Sequence, residues 1–336
     1  MIETPVSETR LVTVFGGSGF IGRHVVRALT KRGWRVRAAV RRPHLAMHLQ
    51  PLGRVGQVHA VQANLRYPAS VAAALRGADA AVNLVGVLAD RGRQNFEAVH
   101  VFGARAVARA ATDAGVKALV HVSALGADPS SDAHYARSKA RGEAAVRDAF
   151  AEATILRPSI VFGPEDDFFN RFAALARISP FLPLIGGGAT RFQPVFVGDV
   201  AEAAARALDG AAPAREPYEL GGPAVKTFRD ILAYICAVTG RRRLFVPIPF
   251  AIAHYVPALA TEIATTISFG MFPKMLVMTR DQVRLLRRDT LVSPEAARDR
   301  RTLEGLGIDP TPIDVIVPSY LYRFRKTGQF DRRQPV

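Results

Sequence analysis

LVTVFGGSGFIGRHVVRALTKR, residues Leu11 to Arg32, is the stretch from which the fold of this chain is read. Leu11 to Phe15 is short, apolar and β-prone, the signature of a buried strand. Gly16, Gly19 and Gly22 follow at three-residue spacing. From Phe20 to Arg32 the pattern turns helical, with Ile21, Val25, Val26 and Leu29 inward and Arg23, Arg27, Lys31 and Arg32 outward. A strand, a glycine turn and a helix are what a dinucleotide needs. One glycine makes the tight turn, a second lets the backbone approach the pyrophosphate, and a third lets helix and strand pack closely. The helix start then presents unpaired N–H groups and a positive dipole end to the phosphates.

The chain has 336 residues, enough for one large domain or two unequal ones, and its 49% apolar content is that of a globular protein. Cys236 is the single cysteine, which excludes an internal disulfide and fits a reducing compartment. The formal charge is +16, and between Thr9 and Ala78 there are twelve Lys or Arg and no Asp or Glu. Such a surface suits nucleic acid, an anionic membrane or acidic partner, or reflects arginine-rich composition. No helix-turn-helix or aromatic-interleaved basic motif supports nucleic acid. The first ten residues, MIETPVSETR, read as neither a secretory signal nor an import presequence.

A second strand, Arg35 to Val40, runs into Arg41 and Arg42 where an NAD site places an acidic residue on the ribose 2′-OH. Two guanidinium groups suit a 2′-phosphate instead, so NADP(H) is expected over NAD(H); the alternative is a pair of solvated loop arginines. Val58 to Gln62 reads as strand three, with Asn64 and Leu65 after it to meet the adenine. Tyr67 to Arg76 is a short helix, Ala80 to Leu84 strand four with Val85 and Gly86 at its end, Gln94 to Ala114 a helix, and Ala118 to Val122 strand five. Strict alternation of strand and helix predicts a parallel, doubly wound α/β sheet.

Tyr135 and Lys139 stand four apart on one predicted helix face just after strand five. A lysine beside a tyrosine favours the phenolate, which can serve as general acid or base at a carbonyl or hydroxyl; the lysine can also hold a ribose. Asp166, Asp167 and Asp199 form no metal-like cluster, and His44 and His48, one turn apart, lack a third ligand, so no metal is expected.

GGSGFIG at residues 16–22, Asn83-Leu84-Val85-Gly86, Tyr135-x-x-x-Lys139 and Leu156-Arg157-Pro158-Ser159-Ile160-Val161-Phe162-Gly163-Pro164 resemble the short-chain dehydrogenase/reductase superfamily, in its extended or atypical branch. The resemblance continues through Gln193 to Val200 and Tyr218 to Gly222, over roughly the first 240 residues. Val120-His121-Val122-Ser123, Arg147-Asp148-Ala149-Phe150 and Phe162-Gly163-x-Glu165-Asp166 make it similar to one subgroup, the nucleotide-binding accessory subunit of respiratory complex I. That resemblance implies a reductase-like fold that binds NADPH and stabilises an assembly rather than turning over substrate. It implies a cofactor set of Gly16, Gly17, Ser18, Gly19, Phe20, Ile21, Gly22, Arg41, Arg42, Asn64, Leu65, Val85, Gly86, Ser123, Tyr135, Lys139 and Pro158. Active relatives carry a serine or threonine in the turn after strand five; here Ser123 is followed by Ala124 and Leu125. Ser123 either fills the role or merely ends the strand; a missing oxyanion donor typically lowers a rate by on the order of 10²–10³.

Farther on, Phe168 to Arg191 reads as a helix, a proline-rich turn (SPFLPL) and a Gly186–Gly188 loop lying over the cofactor. Phe228 to Thr239 is a helix ended by Gly240. Phe245 to Thr279 carries only Glu262 and Lys274 as formal charges and is broken by four prolines and Gly270, too interrupted for one membrane span. Two short apolar helices, followed by the basic run Arg280 to Arg288, suit docking on a membrane interface or an apolar partner; the alternative is a buried helical pair. Pro310 to Val336 contains short apolar runs and a tail, YLYRFRKTGQFDRRQPV, which is either disordered or laid on a partner; its mix of aromatics and arginines favours the partner.

The expectation is therefore a Rossmann-type doubly wound parallel sheet with a small, mostly helical C-terminal domain. Residues 1–165 form the NADP-binding core, 166–310 the smaller domain with strands from 190–222 returning to the core, 245–279 an apolar docking region, and 311–336 a partner-binding tail. The expected role is non-catalytic, with NADPH as ligand and other subunits of a membrane-bound respiratory complex, and an anionic lipid surface, as partners. The expected place is the cytoplasmic face of a bacterial inner membrane, equivalent to the mitochondrial matrix side. The rival is an NADP-dependent reductase or epimerase using Tyr135 and Lys139.

Overall fold

A computed structural model describes residues 10–90, 92, 94–212, 215–253 and 279–327. The first strand, β1 (Leu11–Phe15), is followed by α1 (Phe20–Lys31), β2 (Arg35–Val40), β3 (Val58–Gln62), α2 (Pro68–Leu75) and β4 (Ala80–Asn83). A π-helical stretch, Glu97–Gly103, leads into α3 (Ala104–Asp113), then β5 (Ala118–Val122), α4 (His134–Ala149) and β6 (Thr154–Pro158). The chain continues with β7 (Val161–Phe162), α5 (Phe168–Ile178), β8 (Phe181–Ile185), β9 (Arg191–Phe192), β10 (Val195–Phe196), α6 (Val197–Leu208), β11 (Tyr218–Leu220) and β12 (Lys226–Thr227). It ends with α7 (Phe228–Val238), β13 (Leu244–Ile248), α8 (Arg280–Leu285), α9 (Pro294–Arg298), α10 (Ile313–Ile316) and α11 (Pro318–Leu321).

Seven parallel strands form the central sheet in the order β11-β6-β5-β4-β1-β2-β3. The order reverses at β1, between β4 and β2, and a ligand crevice is expected at the carboxyl ends of the strands there. Both faces of the sheet are covered, which explains why the inner strands β1 and β4 are nearly continuous buried runs rather than alternating ones. On one side Val12, Val14 and Val36 pack with Val25, Val26 and Leu29 of α1 and Val200, Ala204 and Leu208 of α6. On the other, Phe15, Ala81 and Leu119 pack with Val71 and Leu75 of α2, Val107 and Ala111 of α3 and Val146 of α4. Local chemistry sets the ends. Pro68 opens α2, where its missing N–H leaves no gap. The Thr227 hydroxyl and Asp230 carboxylate form a capping box on α7.

The smaller lobe has its own core, in which Phe162, Phe169 and Phe172 meet Phe228, Ile231, Leu232 and Ile235. Three expectations change here. SPFLPL is not a turn: Phe181–Ile185 is a strand, paired in parallel with Leu244–Ile248. The start of the apolar docking region is accordingly that partner strand and not a helix; β-branched and aromatic neighbours favour pairing, and in a two-stranded sheet each proline N–H position can face away from the ladder. Residues 254–278 of that region lie outside the described residues, as do 328–336 of the expected tail. Within the described part of that segment, Ile313, Val317, Tyr320 and Leu321 are buried in the lobe's own core, where their apolar spacing packs them against α5 and α7.

Candidate functional site

The glycine turn is built as its spacing requires. Gly16 adopts a left-handed φ of +81°, and its N–H donates to Ala39 O on β2. A Cβ on Gly22 would stand 2.2 Å from Gly16 O, so only glycine lets α1 come this close to the turn. Gly19 is the N-cap residue of α1, and no side chain caps that helix end. Its first-turn N–H groups are available to an anion. Beside the turn, Val85 Cγ2 would be 3.3 Å from a Cβ on Gly16, which places the end of β4 against it.

A cleft of about 260 Å³ opens here. It is lined by Gly16, Ser18 and Gly19 from the turn, Arg41 after β2, Asn64, Leu65 and Arg66 after β3, and Leu84, Val85, Gly86 and Val87 after β4. Gln94, Ala98 and Val99 close the side. Of the residues expected to bind a cofactor, Gly16, Ser18, Gly19, Arg41, Asn64, Leu65, Val85 and Gly86 line it. Gly17 and Gly22 are buried behind the turn. Arg42 is exposed and does not line the cleft; Arg66, which the sequence reading passed over, takes that place. Asn64 Oδ1 accepts from Arg66 N–H at 3.2 Å, a local turn that carries Arg66 to the rim. Gly186–Gly188 do not line the cleft; Cβ atoms on Gly186 and Gly188 would meet Phe250 and Arg229.

A buried polar cluster adjoins the cleft. A Cβ on Gly86 would lie 3.5 Å from both His100 Nε2 and Lys139 Nζ. Val87 N–H donates to His100 Nε2 at 3.0 Å, so that nitrogen carries no proton, and the opposite Nδ1 pairs with Ser138 Oγ at 2.8 Å. Ser138 Oγ donates in turn to Tyr135 O at 2.8 Å. The Tyr135 ring meets Phe96 and His100 edge-on, at 5.9 and 5.5 Å between centroids. Asn83 Nδ2 contacts His121 Nδ1 at 3.2 Å. Burial, reinforced by the Lys139 charge, holds both His100 and His121 down at about 3, so both are neutral.

Tyr135 and Lys139 share this region, but not as expected. Lys139 Nζ is 5.9 Å from the Tyr135 ring centroid and donates to Val122 O at 3.3 Å. Burial pushes the phenol up to about 12 instead of favouring the phenolate, and pulls the lysine down to about 8 against the opposing Glu143 charge. Glu143 is gripped by Arg157 through two hydrogen bonds of 2.9 and 2.7 Å. Ser123 is buried, and its Oγ has no hydrogen-bond partner among the described residues. Pro158 is buried at the end of β6, where its carbonyl accepts from Leu125 N–H at 2.9 Å. His100, His121 and Ser138 were legible only as members of apolar elements. The signal that marks His100 is packing: a Cβ on Gly142 would stand 2.2 Å from its carbonyl oxygen, where the helix before α3 widens to π geometry.

Residues 16–167 match the family model described as NAD(P)H-binding. Over 95% of its length the chain is 34% identical to NADH dehydrogenase [ubiquinone] 1 alpha subcomplex subunit 9, mitochondrial, of Arabidopsis thaliana, and covers 79% of it. A ceramide reductase of Caulobacter vibrioides is 37% identical over 57% of this chain and 58% of its own. The structure of an NADPH-dependent quinone oxidoreductase from Escherichia coli superimposes with a TM-score of 0.71 at 22% identity, over 93% of this chain and 99% of that one. The chain therefore belongs to the NAD(P)H-binding, short-chain dehydrogenase/reductase-like family that includes subunit 9 of the complex I alpha subcomplex.

Proposed function

We propose that this chain is an accessory subunit of a membrane-bound respiratory complex of the complex I type, in which NADPH is a structural ligand and not a reactant. One observation carries the reading: a cleft shaped for a dinucleotide sits in a chain that is similar, over 95% of its length, to subunit 9 of the complex I alpha subcomplex. Ala124 and Leu125 follow Ser123 where an active relative would present a further hydroxyl. Arg41 and Arg66 on the rim favour a 2′-phosphate, and hence NADPH over NADH. The glycine turn and the uncapped α1 would hold the pyrophosphate, and the cofactor would supply hydride chemistry if a substrate could reach it. A ligand that binds only the folded chain stabilises it by about 2.7 kcal/mol at a hundredfold excess over Kd.

Attachment to the complex is assigned to the smaller lobe. Phe181, Leu244, Val246 and Ile252 are exposed apolar side chains on and beside the β8/β13 pair, with exposed Arg242 next to them. Such a face suits other subunits or an anionic lipid surface at the matrix side, which in a bacterium is the cytoplasmic face of the inner membrane. Among the described residues no helix is long and apolar enough to cross a membrane. Purification from gently solubilised membranes tests the reading: Tyr135→Phe leaves co-purification of the respiratory subunits intact. A chain that co-purifies with nothing and reduces a metabolite rapidly overturns it.

A reductase using Tyr135 and Lys139 is the second reading. It is supported by the buried Ser123 Oγ, which has no partner among the described residues, and by the similarity to a ceramide reductase. Tyr135→Phe abolishes activity under that reading.

A further inference from the structure

Helix α4, which carries Tyr135 and Lys139, begins without a cap of its own: Ala133 is its N-cap residue and offers no side-chain acceptor. The acceptor comes from far along the chain. One carboxylate oxygen of Asp281 accepts from His134 N–H at 2.7 Å, and the other accepts from Tyr135 N–H at 2.9 Å. Both orphan donors are thereby satisfied by a charge of the favourable sign. Asp281 is itself fixed, because Thr279 and Gln282 form a capping box at the start of α8.

The hydrogen bonds do not stop at Tyr135. Its carbonyl accepts from Ser138 Oγ, Ser138 pairs with His100 Nδ1, and His100 Nε2 accepts from Val87 N–H in the cleft wall. Three residues, Tyr135, Ser138 and His100, thus join Asp281 to the Val87 backbone against which a bound dinucleotide would lie. We propose that Asp281 is a positioning residue, which couples the α8 segment to the dinucleotide cleft through Tyr135, Ser138 and His100. The proposal rests on the dinucleotide reading above and names how that site is regulated. In sequence Asp281 stands two residues beyond the apolar stretch that ends at Thr279. Attachment of that stretch to a partner would therefore change dinucleotide affinity, and by linkage the dinucleotide would change attachment by the same factor.

Hydrogen exchange on the full chain, with and without NADPH, and NADPH titration test this. Asp281→Ala should speed exchange of the Val87 amide and weaken NADPH binding by roughly two- to tenfold. Ser138→Ala, which breaks the route in its middle, should do the same with Asp281 in place. NADPH should slow exchange across residues 280–285 in the parent chain and not in Ser138→Ala. Arg288→Ala removes a different tie of the same segment, the 2.6 Å ion pair to Asp128, and should leave Val87 unchanged. If Asp281→Ala does not fold, Asp281→Asn and Ser138→Ala decide. Unaltered Val87 exchange in both Asp281→Ala and Ser138→Ala overturns the coupling, as does an equal effect from Arg288→Ala. A parent chain that binds no nicotinamide dinucleotide ends the functional reading, while Val87 exchange without ligand still decides the coupling.

Discussion

Gly22 and Gly16 stand so close that a methyl group on the first would lie 2.2 Å from the carbonyl oxygen of the second. The contact is backbone on both sides, so no rotamer change relieves it. Gly22→Ala must push α1 away from the turn, which lowers stability by about 1–3 kcal/mol and spoils the phosphate cradle. Thermal melting and cofactor titration of the same sample check both effects together.

Arg41 and Arg66 converge on the rim from two different strand ends. Replacing each with alanine should weaken NADPH binding by roughly tenfold or more, the size of a lost charge-assisted hydrogen bond, and change NADH binding far less. Arg42→Ala, off the cleft, should leave both unchanged. Parallel titrations with the two cofactors are the measurement, and equal losses for NADH would remove the 2′-phosphate assignment.

His100 and His121 are held at about 3 from an ordinary 6.5, so the unfolded chain binds these protons more readily than the folded one. Their stabilising contribution is complete above about 6.5 and lost as the pH falls toward 3. Asp166 and Asp199, both raised by burial, contribute in the opposite direction on acidification. Urea midpoints measured from pH 7.5 down to 4 should fall, and His121→Asn should flatten the fall.

Tyr320 Oη donates to Asp166 at 2.6 Å, and Asp166 also accepts from the N–H groups of Gly163, Phe169 and Asn170. Tyr320→Phe leaves that buried carboxylate one donor short, at about 1–3 kcal/mol. The loss should appear in denaturant midpoints while cofactor affinity is kept.

Leu244 and Val246 point outward from the lobe, with exposures of 67% and 41%. Leu244→Glu with Val246→Glu should leave melting of the isolated chain within about 0.5 kcal/mol of the parent, as for ordinary surface changes, and, under the proposed function, abolish its attachment to membrane-bound partners. Membrane fractionation checks the second outcome.

The dinucleotide half was legible because each residue there answers to a local rule. Three glycines, a polar residue after β3 and the end of β4 lie at strand ends whose order is imposed by alternation. Arg66 and His100 were not legible, since a side chain's place on a rim depends on a turn geometry that neither neighbour announces. Tyr135 and Lys139 illustrate the other limit. Their spacing correctly placed them on one helix, but their protonation depends on burial from Phe96, His100 and the sheet, which spacing does not encode. The β8/β13 pairing was missed because its strands lie some sixty residues apart and carry prolines, and local proline content argued for a turn. Asp281 was hidden for the same reason, since the helix it caps lies 146 residues earlier.

The chain leaves the central sheet after β6 and comes back to add β11 at its edge, having built part of the lobe in between. Ser293 N–H then binds Glu219 on β11, and Leu303 and Leu306 pack into the sheet's core beside α6. Neither half can be cut free as a self-sufficient module: a nick near residue 165 would strip the sheet of its border strand. Heating should accordingly melt the two halves in a single calorimetric peak.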